Sequence, residues 1–133
     1  MLVYLDSNIL IYAIERSPNF GTRATTHIAL LAASGDEFIV SDLTRLECRA
    51  TPLVRGNRQI LTAYDQFFQQ RVHAVFQLTT SICDNATVIR GQYNFKTPDC
   101  LHLAAALEAG CGKFVTNDLR LNRFTGIAIE LLP

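Results

Sequence analysis

The chain has 133 residues, with 12 Lys or Arg against 12 Asp or Glu, so its formal net charge is zero. With 49% apolar and 18% charged residues, it has the make-up of a single globular domain over residues 1–133, which excludes a disordered chain. Zero net charge argues against a protein that holds nucleic acid through a basic surface alone, since phosphate contacts drive such binding. It leaves room for an enzyme whose acidic site offsets basic residues elsewhere.

The opening run, MLVYLDSNILIYAIE, is apolar, but no basic segment precedes it and Asp6 interrupts it. This argues against a signal peptide. No stretch reaches the roughly 18 uncharged apolar residues of a membrane span, so a soluble, cytoplasmic protein without membrane contact is expected. Within the run, Leu2 to Leu5 reads as a strand buried on both faces. A helix is expected to open at Ile9, with Asp6 or Ser7 as its N-cap.

Thr22 to Ser34 reads as a helix closed by Gly35, and Glu37 to Val40 as a second strand. A helix from about Ser41 to Val54 follows; Leu43, Leu46, Ala50, Leu53 and Val54 recur at helical spacing and mark its expected inner face. Asn57 to Arg71 reads as helix, Ala74 to Leu78 as strand and Ser81 to Tyr93 as helix. Ser81 with Asp84 suggests a weak capping box. The next helix has Thr97 as expected N-cap, Pro98 at its first position and Gly110 at its end. Its body, CLHLAAALEA, is apolar on nearly every side and should be largely buried. Lys113 to Thr116 and Ile127 to Leu132 complete the strands. Strands alternating with helices imply a parallel sheet covered on both faces, with any site outside the carboxyl ends of the strands.

The four cysteines, Cys48, Cys83, Cys100 and Cys111, match no paired metal motif and read as buried free thiols. The histidines, His27, His73 and His102, are scattered and form no zinc signature.

Four carboxylates stand out of place. Asp6 lies between two apolar segments, where a charge is costly unless something binds it; it also suits an N-cap. Glu47 lies on or beside the inner face of its helix, or at the rim paired with Arg45 or Arg49. Asp99 is in the first turn of the buried helix, where the dipole favours negative charge. Asp118 follows the strand ending in Thr116 and also suits a turn. Two strand ends and a helix start can share one crevice. Clustered carboxylates repel unless cations separate them, and oxygen ligands favour hard ions such as Mg²⁺ or Mn²⁺. Such ions promote phosphodiester hydrolysis.

Taken in order, YLDSNILIY around Asp6, LTRLECRA around Glu47, KTPDCLHLAAAL around Asp99 and FVTNDLRL around Asp118 resemble the PIN-domain family. The likeness extends over almost the whole chain and is greatest to the VapC-type toxins of bacterial toxin–antitoxin pairs. It implies an α/β three-layer sandwich, a central parallel five-stranded sheet with helices on both faces. It implies a Mg²⁺- or Mn²⁺-dependent endoribonuclease in which Asp6, Glu47, Asp99 and Asp118 hold the metal directly or through water. Asn8 and Thr116 match supporting polar positions. The resemblance further implies an RNA substrate, a cognate antitoxin and a homodimer.

Arg45, Arg49 and Arg120, with Arg55, Arg58 and Arg123 nearby, are candidates for tracking an RNA backbone, or else solvated surface charges. Tyr93, Phe95 and Lys96 could meet an unpaired base, or the aromatics could cap the core. Phe67 and Phe68 suit core or dimer packing. Among rivals, an aspartyl phosphatase needs a second Asp where Asn8 stands, and a dinucleotide-binding domain needs a glycine-rich loop that is missing. A non-catalytic PIN-like module binding RNA or protein is the remaining alternative; four retained carboxylates argue against it.

Overall fold

The computed structural model describes residues 1–133. Five strands form its centre: β1 (Leu2–Leu5), β2 (Glu37–Ser41), β3 (Ala74–Phe76), β4 (Lys113–Thr116) and β5 (Ala128–Leu131). Every pairing is parallel and the order is β3-β2-β1-β4-β5. The expected α/β sandwich with a five-stranded parallel sheet is thus present. The helices are α1 (Ser7–Ile14), α2 (Gly21–Ala33), α3 (Asp42–Val54), α4 (Arg58–Gln70), α5 (Thr80–Tyr93) and α6 (Thr97–Glu108), with a short 3₁₀ helix at Leu119–Arg123. None is long and apolar enough to cross a membrane.

Side-chain alternation along the strands divides the core. Val3, Leu5, Phe38, Val40 and Val115 enter one cluster, with α1 to α4 packed over them. Tyr4, Ile39 and Phe114 enter the other, beneath α5 and α6. Period-two alternation with both faces buried explains why the strands read as continuous apolar runs. Phe67 and Phe68 are buried in the first cluster, so they are core and present no surface to a partner.

Two helix starts differ from expectation by a residue or two, because local side-chain bonding chooses among adjacent polar residues. Lys96, in extended conformation, caps α6, and Thr97 is its first helical residue. Thr79 caps α5 by accepting from the Ile82 N–H, so Ser81 lies inside the helix and the proposed Ser81–Asp84 box does not form.

The expected face of α3 is also corrected. Its buried residues are Thr44, Cys48 and Pro52, whereas Leu46, Leu53 and Val54 are 64%, 68% and 87% exposed. Thr44 is held inward by a reciprocal cap with Ser41: the Ser41 N–H donates to Thr44 Oγ1 and the Thr44 N–H is capped by the Ser41 side chain. That bond fixes the rotation of the helix, and residues at i+4 and i+8 from Thr44 follow it inward.

At the sheet edge, Glu130 of β5 joins His27 of α2 at 2.6 Å and Lys113 of β4 at 3.1 Å. Burial raises the Glu130 pKa, but these two partners outweigh it and hold the carboxyl below its ordinary range. A depressed pKa stabilises the fold above the unfolded-state value, and the contribution disappears as pH falls through the folded value. Glu130→Gln is therefore expected to cost on the order of 1 kcal/mol at neutral pH and to lose less stability than the wild type between about pH 5 and 3. Parallel acid-range denaturant melts check this; identical slopes would show that the pair contributes nothing.

Candidate active site

Strands β1 to β3 extend the sheet one way from β1, and β4 and β5 lie on its other side. The reversal between β1 and β4 leaves a crevice at their carboxyl ends, where open α/β sheets place ligands. Asp6 leaves β1 there, its N–H still bonded to Val115 O of β4. The residue is 6% exposed. It accepts from the Ser7 N–H at 2.8 Å, capping α1, and from the Thr116 hydroxyl at 2.7 Å. Asn8 Nδ2 stands 3.4 Å away. Asn8 and Thr116 thus both touch Asp6, and Thr116 Oγ1 also accepts from the Asp118 N–H.

Burial pushes the Asp6 pKa up, opposed by His102 and Thr116, with Glu47 adding to the rise. Asp99, in the first turn of α6, is raised by burial and then by the charges of Asp6 and Asp118. The four acidic residues therefore share one electrostatic neighbourhood. Two of them are engaged within the chain. Arg120 donates to Asp118 through Nε at 3.0 Å and Nη2 at 2.5 Å, and this bonding holds the Asp118 pKa down. Glu47 is raised by burial but lowered more by His102 and the Ser7 hydroxyl.

These pairings draw Glu47 and Asp118 aside, and no three His, Cys, Asp or Glu side chains converge closely enough to share one ion. The donor chemistry still fits a hard divalent cation. Carboxylate oxygens dominate, and the charge of Asp6 adds to the cost of ionising Asp99, a cost that a cation relieves.

His102 is a residue of this site that its place in a buried apolar helix concealed. It is 1% exposed. Its Nε2 lies 2.5 Å from Glu47 Oε1 and its Nδ1 2.8 Å from the Tyr4 hydroxyl. An ionised carboxylate only accepts, so Nε2 donates to Glu47. The Tyr4 hydroxyl continues the chain to Ser41 Oγ at 2.9 Å, and Ser7 Oγ donates to Glu47 at 2.7 Å. A buried polar network thus ties β1, β2, α1 and α6 to Glu47. The available signal was a lone histidine three residues after Asp99 on a helix with no other buried polar group.

Of the arginines, Arg49 Nε lies 3.0 Å from Asp65 Oδ1 on α4, within ion-pair range but not aligned as a hydrogen bond. Arg45 lies over the Phe68 ring. Both are engaged within the chain, and Arg120, paired to Asp118, stands at the acidic site. Phe95 is buried, stacked on Tyr93 and covered by the Arg123 guanidinium, so its ring faces are not open to a base.

A family model for the PIN domain matches residues 3–127. Among solved structures, a chain of VapBC2 from Rickettsia felis, crystallised with a DNA fragment from its promoter, superposes with a TM-score of 0.82 at 18% identity, covering 100% of both chains. A chain of DNA-bound VapBC from Salmonella typhimurium gives 0.77 at 22%, again covering 100% of both. VapC20 from Mycobacterium tuberculosis, a toxin that cleaves the sarcin-ricin loop, gives 0.71 at 15%, covering 95% of this chain and 98% of that one. At these identities the likeness is one of fold. No curated protein matches by sequence.

Proposed function

The chain belongs to the PIN-domain family, and from that premise we propose that it is a divalent-metal-dependent endoribonuclease acting as the toxin of a toxin–antitoxin pair. The observation that carries the reading is the buried Asp6 carboxylate at the β1–β4 crevice, electrostatically joined to Asp99 and Glu47. Burying such a charge is costly, and a bound cation would relieve that cost.

On this reading Asp6 and Asp99, with Asp118 and Glu47, hold Mg²⁺ or Mn²⁺. Such an ion, when bound, lowers the pKa of a water ligand and stabilises charge on a departing oxygen. The chain's own residues do the rest. The Thr116 hydroxyl and Ser7 N–H fix the rotamer of Asp6. His102 and Ser7 fix Glu47. Arg120 keeps positive charge at the rim, where an RNA phosphate approaches. No Ser-His-Asp or Cys-His set is present to supply a side-chain nucleophile.

Features of the surface support the proposed protein partners. Leu46, Leu53 and Val54 leave an apolar strip on α3, the helix that carries Glu47, which suits an antitoxin segment reaching the site. The similar chains of known structure come from VapBC complexes. Exposed Val88 on α5 and Leu107 on α6 suit a homodimer contact.

The test is cleavage of a mixed structured RNA pool by protein freed of any antitoxin. Cleavage is expected with Mg²⁺ or Mn²⁺, with 5′-phosphate ends, and is expected to stop on adding EDTA. Cutting that persists in EDTA would overturn the metal dependence. RNA binding without cutting under any divalent ion would favour the non-catalytic module.

A further inference from the structure

Beside Asp99 lies a cleft of about 440 Å³, between the α5–α6 connection and the 3₁₀ helix. We propose that it seats one unpaired ribonucleotide adjoining the scissile phosphate, and that it gives the enzyme a base preference at that position. This rests on the endoribonuclease reading and adds to it the part of the substrate that is recognised.

Size and placement come first. The volume lies in the range of small-ligand pockets, enough for one nucleotide and too little for a duplex. Asp99 belongs both to the cleft wall and to the acidic neighbourhood of Asp6, so an occupant of the cleft lies next to the site of chemistry. A base can enter only if it is out of a helical stack, which costs least in single-stranded RNA.

The lining supplies a plane, two amides and cations. The Arg123 guanidinium lies 4.6 Å from the centroid of Phe95 and 5.7 Å from that of Tyr93, and it donates to Tyr93 O. The aromatic rings are thus covered, but the guanidinium itself becomes a pinned flat surface. Bases stack on arginine planes as well as on aromatics. Asn94 and Asn122 also line the cleft. Asn94 is held at φ 55° as the left-handed cap of α5, with its N–H on Arg90 O. Each amide offers one donor pair and one acceptor, the combination that reads a base edge. Lys96 is engaged in none of the chain's ion pairs, and with Arg120 it puts positive charge where flanking phosphates run.

An acidic peptide would also meet these cations. It has no flat group to stack on the guanidinium face, and its carboxylates would meet Asp99. A neutral base tolerates Asp99, with its phosphates left at the Lys96 and Arg120 rim. The lining therefore favours RNA.

The test has two arms. In the first, a random-sequence single-stranded RNA pool is cut with Mg²⁺ and the new ends are sequenced, for the wild type, Asn122→Ala and Arg123→Leu. In the second, the four ribonucleoside 5′-monophosphates, ribose 5-phosphate and an oligoglutamate peptide are titrated in EDTA and followed by NMR. The expected results are enrichment of one base beside the wild-type cut, a flattened preference in Asn122→Ala and about tenfold lower kcat/KM in Arg123→Leu. Mononucleotides are expected to shift cleft resonances, with ribose 5-phosphate at least about tenfold weaker. Arg123 packs on Tyr93 and Phe95, so its variant is checked for folding first; the exposed Asn122 keeps the test intact.

Unchanged cut-site profiles in folded variants would overturn the proposal. So would ribose 5-phosphate binding as well as the nucleotides, which would mean an anion site only, or preferential binding of the acidic peptide. Base-dependent binding without wild-type cleavage would remove the nuclease reading and leave the nucleotide seat standing. Cleavage without base-dependent binding would do the reverse.

Discussion

Asp6→Asn is expected to reduce RNA cleavage on the order of a thousandfold, about 4 kcal/mol of lost transition-state stabilisation, while leaving the fold's stability within about 1 kcal/mol of the wild type. The two halves have separate causes. Asp6 is 6% exposed and its pKa is raised by burial, so in the absence of a cation its negative charge opposes folding near neutral pH. Asparagine removes that charge and keeps the shape. Its amide oxygen can still accept from the Ser7 N–H that caps α1. Its NH₂ then faces Thr116, whose hydroxyl can accept as well as donate, although Thr116 Oγ1 already accepts from the Asp118 N–H. The lost charge and the weakened bond largely offset each other. Mg²⁺ separates the wild type from the variant without reference to activity: adding it should raise the wild-type melting temperature, because an ion bound only to the folded state stabilises it, and should leave Asp6→Asn unchanged. Equal shifts in both proteins would place the ion elsewhere, and full cleavage by a folded Asp6→Asn protein would remove Asp6 from the chemistry.

How much of this was legible beforehand varied with the range of the interaction that decides each feature. The strands were legible because they are buried on both faces, so LVYL is an unbroken apolar run and KFVT carries Phe114 and Val115 on opposite faces. The order of those strands was not, since alternation of helix and strand implies a parallel sheet but does not say that β4 returns to the far side of β1. The face of α3 was misread because leucines were taken to point inward. Thr44, Cys48 and Pro52 recur every four residues just as regularly, and the Ser41–Thr44 cap decides between the two stripes. Asp6 and Asp99 were conspicuous as charges amid apolar residues. Their partners were hidden wherever a contact spans distant segments: Thr116 meets Asp6 across 110 positions, and His102 meets Glu47 across 55 and Tyr4 across 98. Asp118 was legible as a turn residue and as a site candidate, but its grip on Arg120 depends on the 3₁₀ helix that follows it.

His102→Ala carries the largest expected cost to stability, about 3 kcal/mol, or a melting temperature lower by roughly 10 °C. The side chain is 1% exposed and joins three elements. Removing it opens a cavity in α6, deprives the buried Tyr4 hydroxyl of one partner and frees Glu47 from its 2.5 Å contact. The same substitution should lower cleavage in the fraction that remains folded, because Glu47 then keeps only Ser7 to orient it. His102 acts here as a positioning residue, and packing alone would not produce the second effect. His102→Gln tests the distinction: its side-chain amide can donate to Glu47, so cleavage should recover in part even though the fit against Tyr4 does not. A double-mutant cycle with Glu47→Gln gives the energetic version. Two groups in contact should show a coupling of about 1 kcal/mol or more, whereas independent sites add. Additive losses, together with wild-type cleavage by folded His102→Ala protein, would reduce His102 to a core residue. A coupled cycle with partial rescue by glutamine would make the buried chain from Ser41 through Tyr4 and His102 the scaffold that holds Glu47 at the acidic crevice.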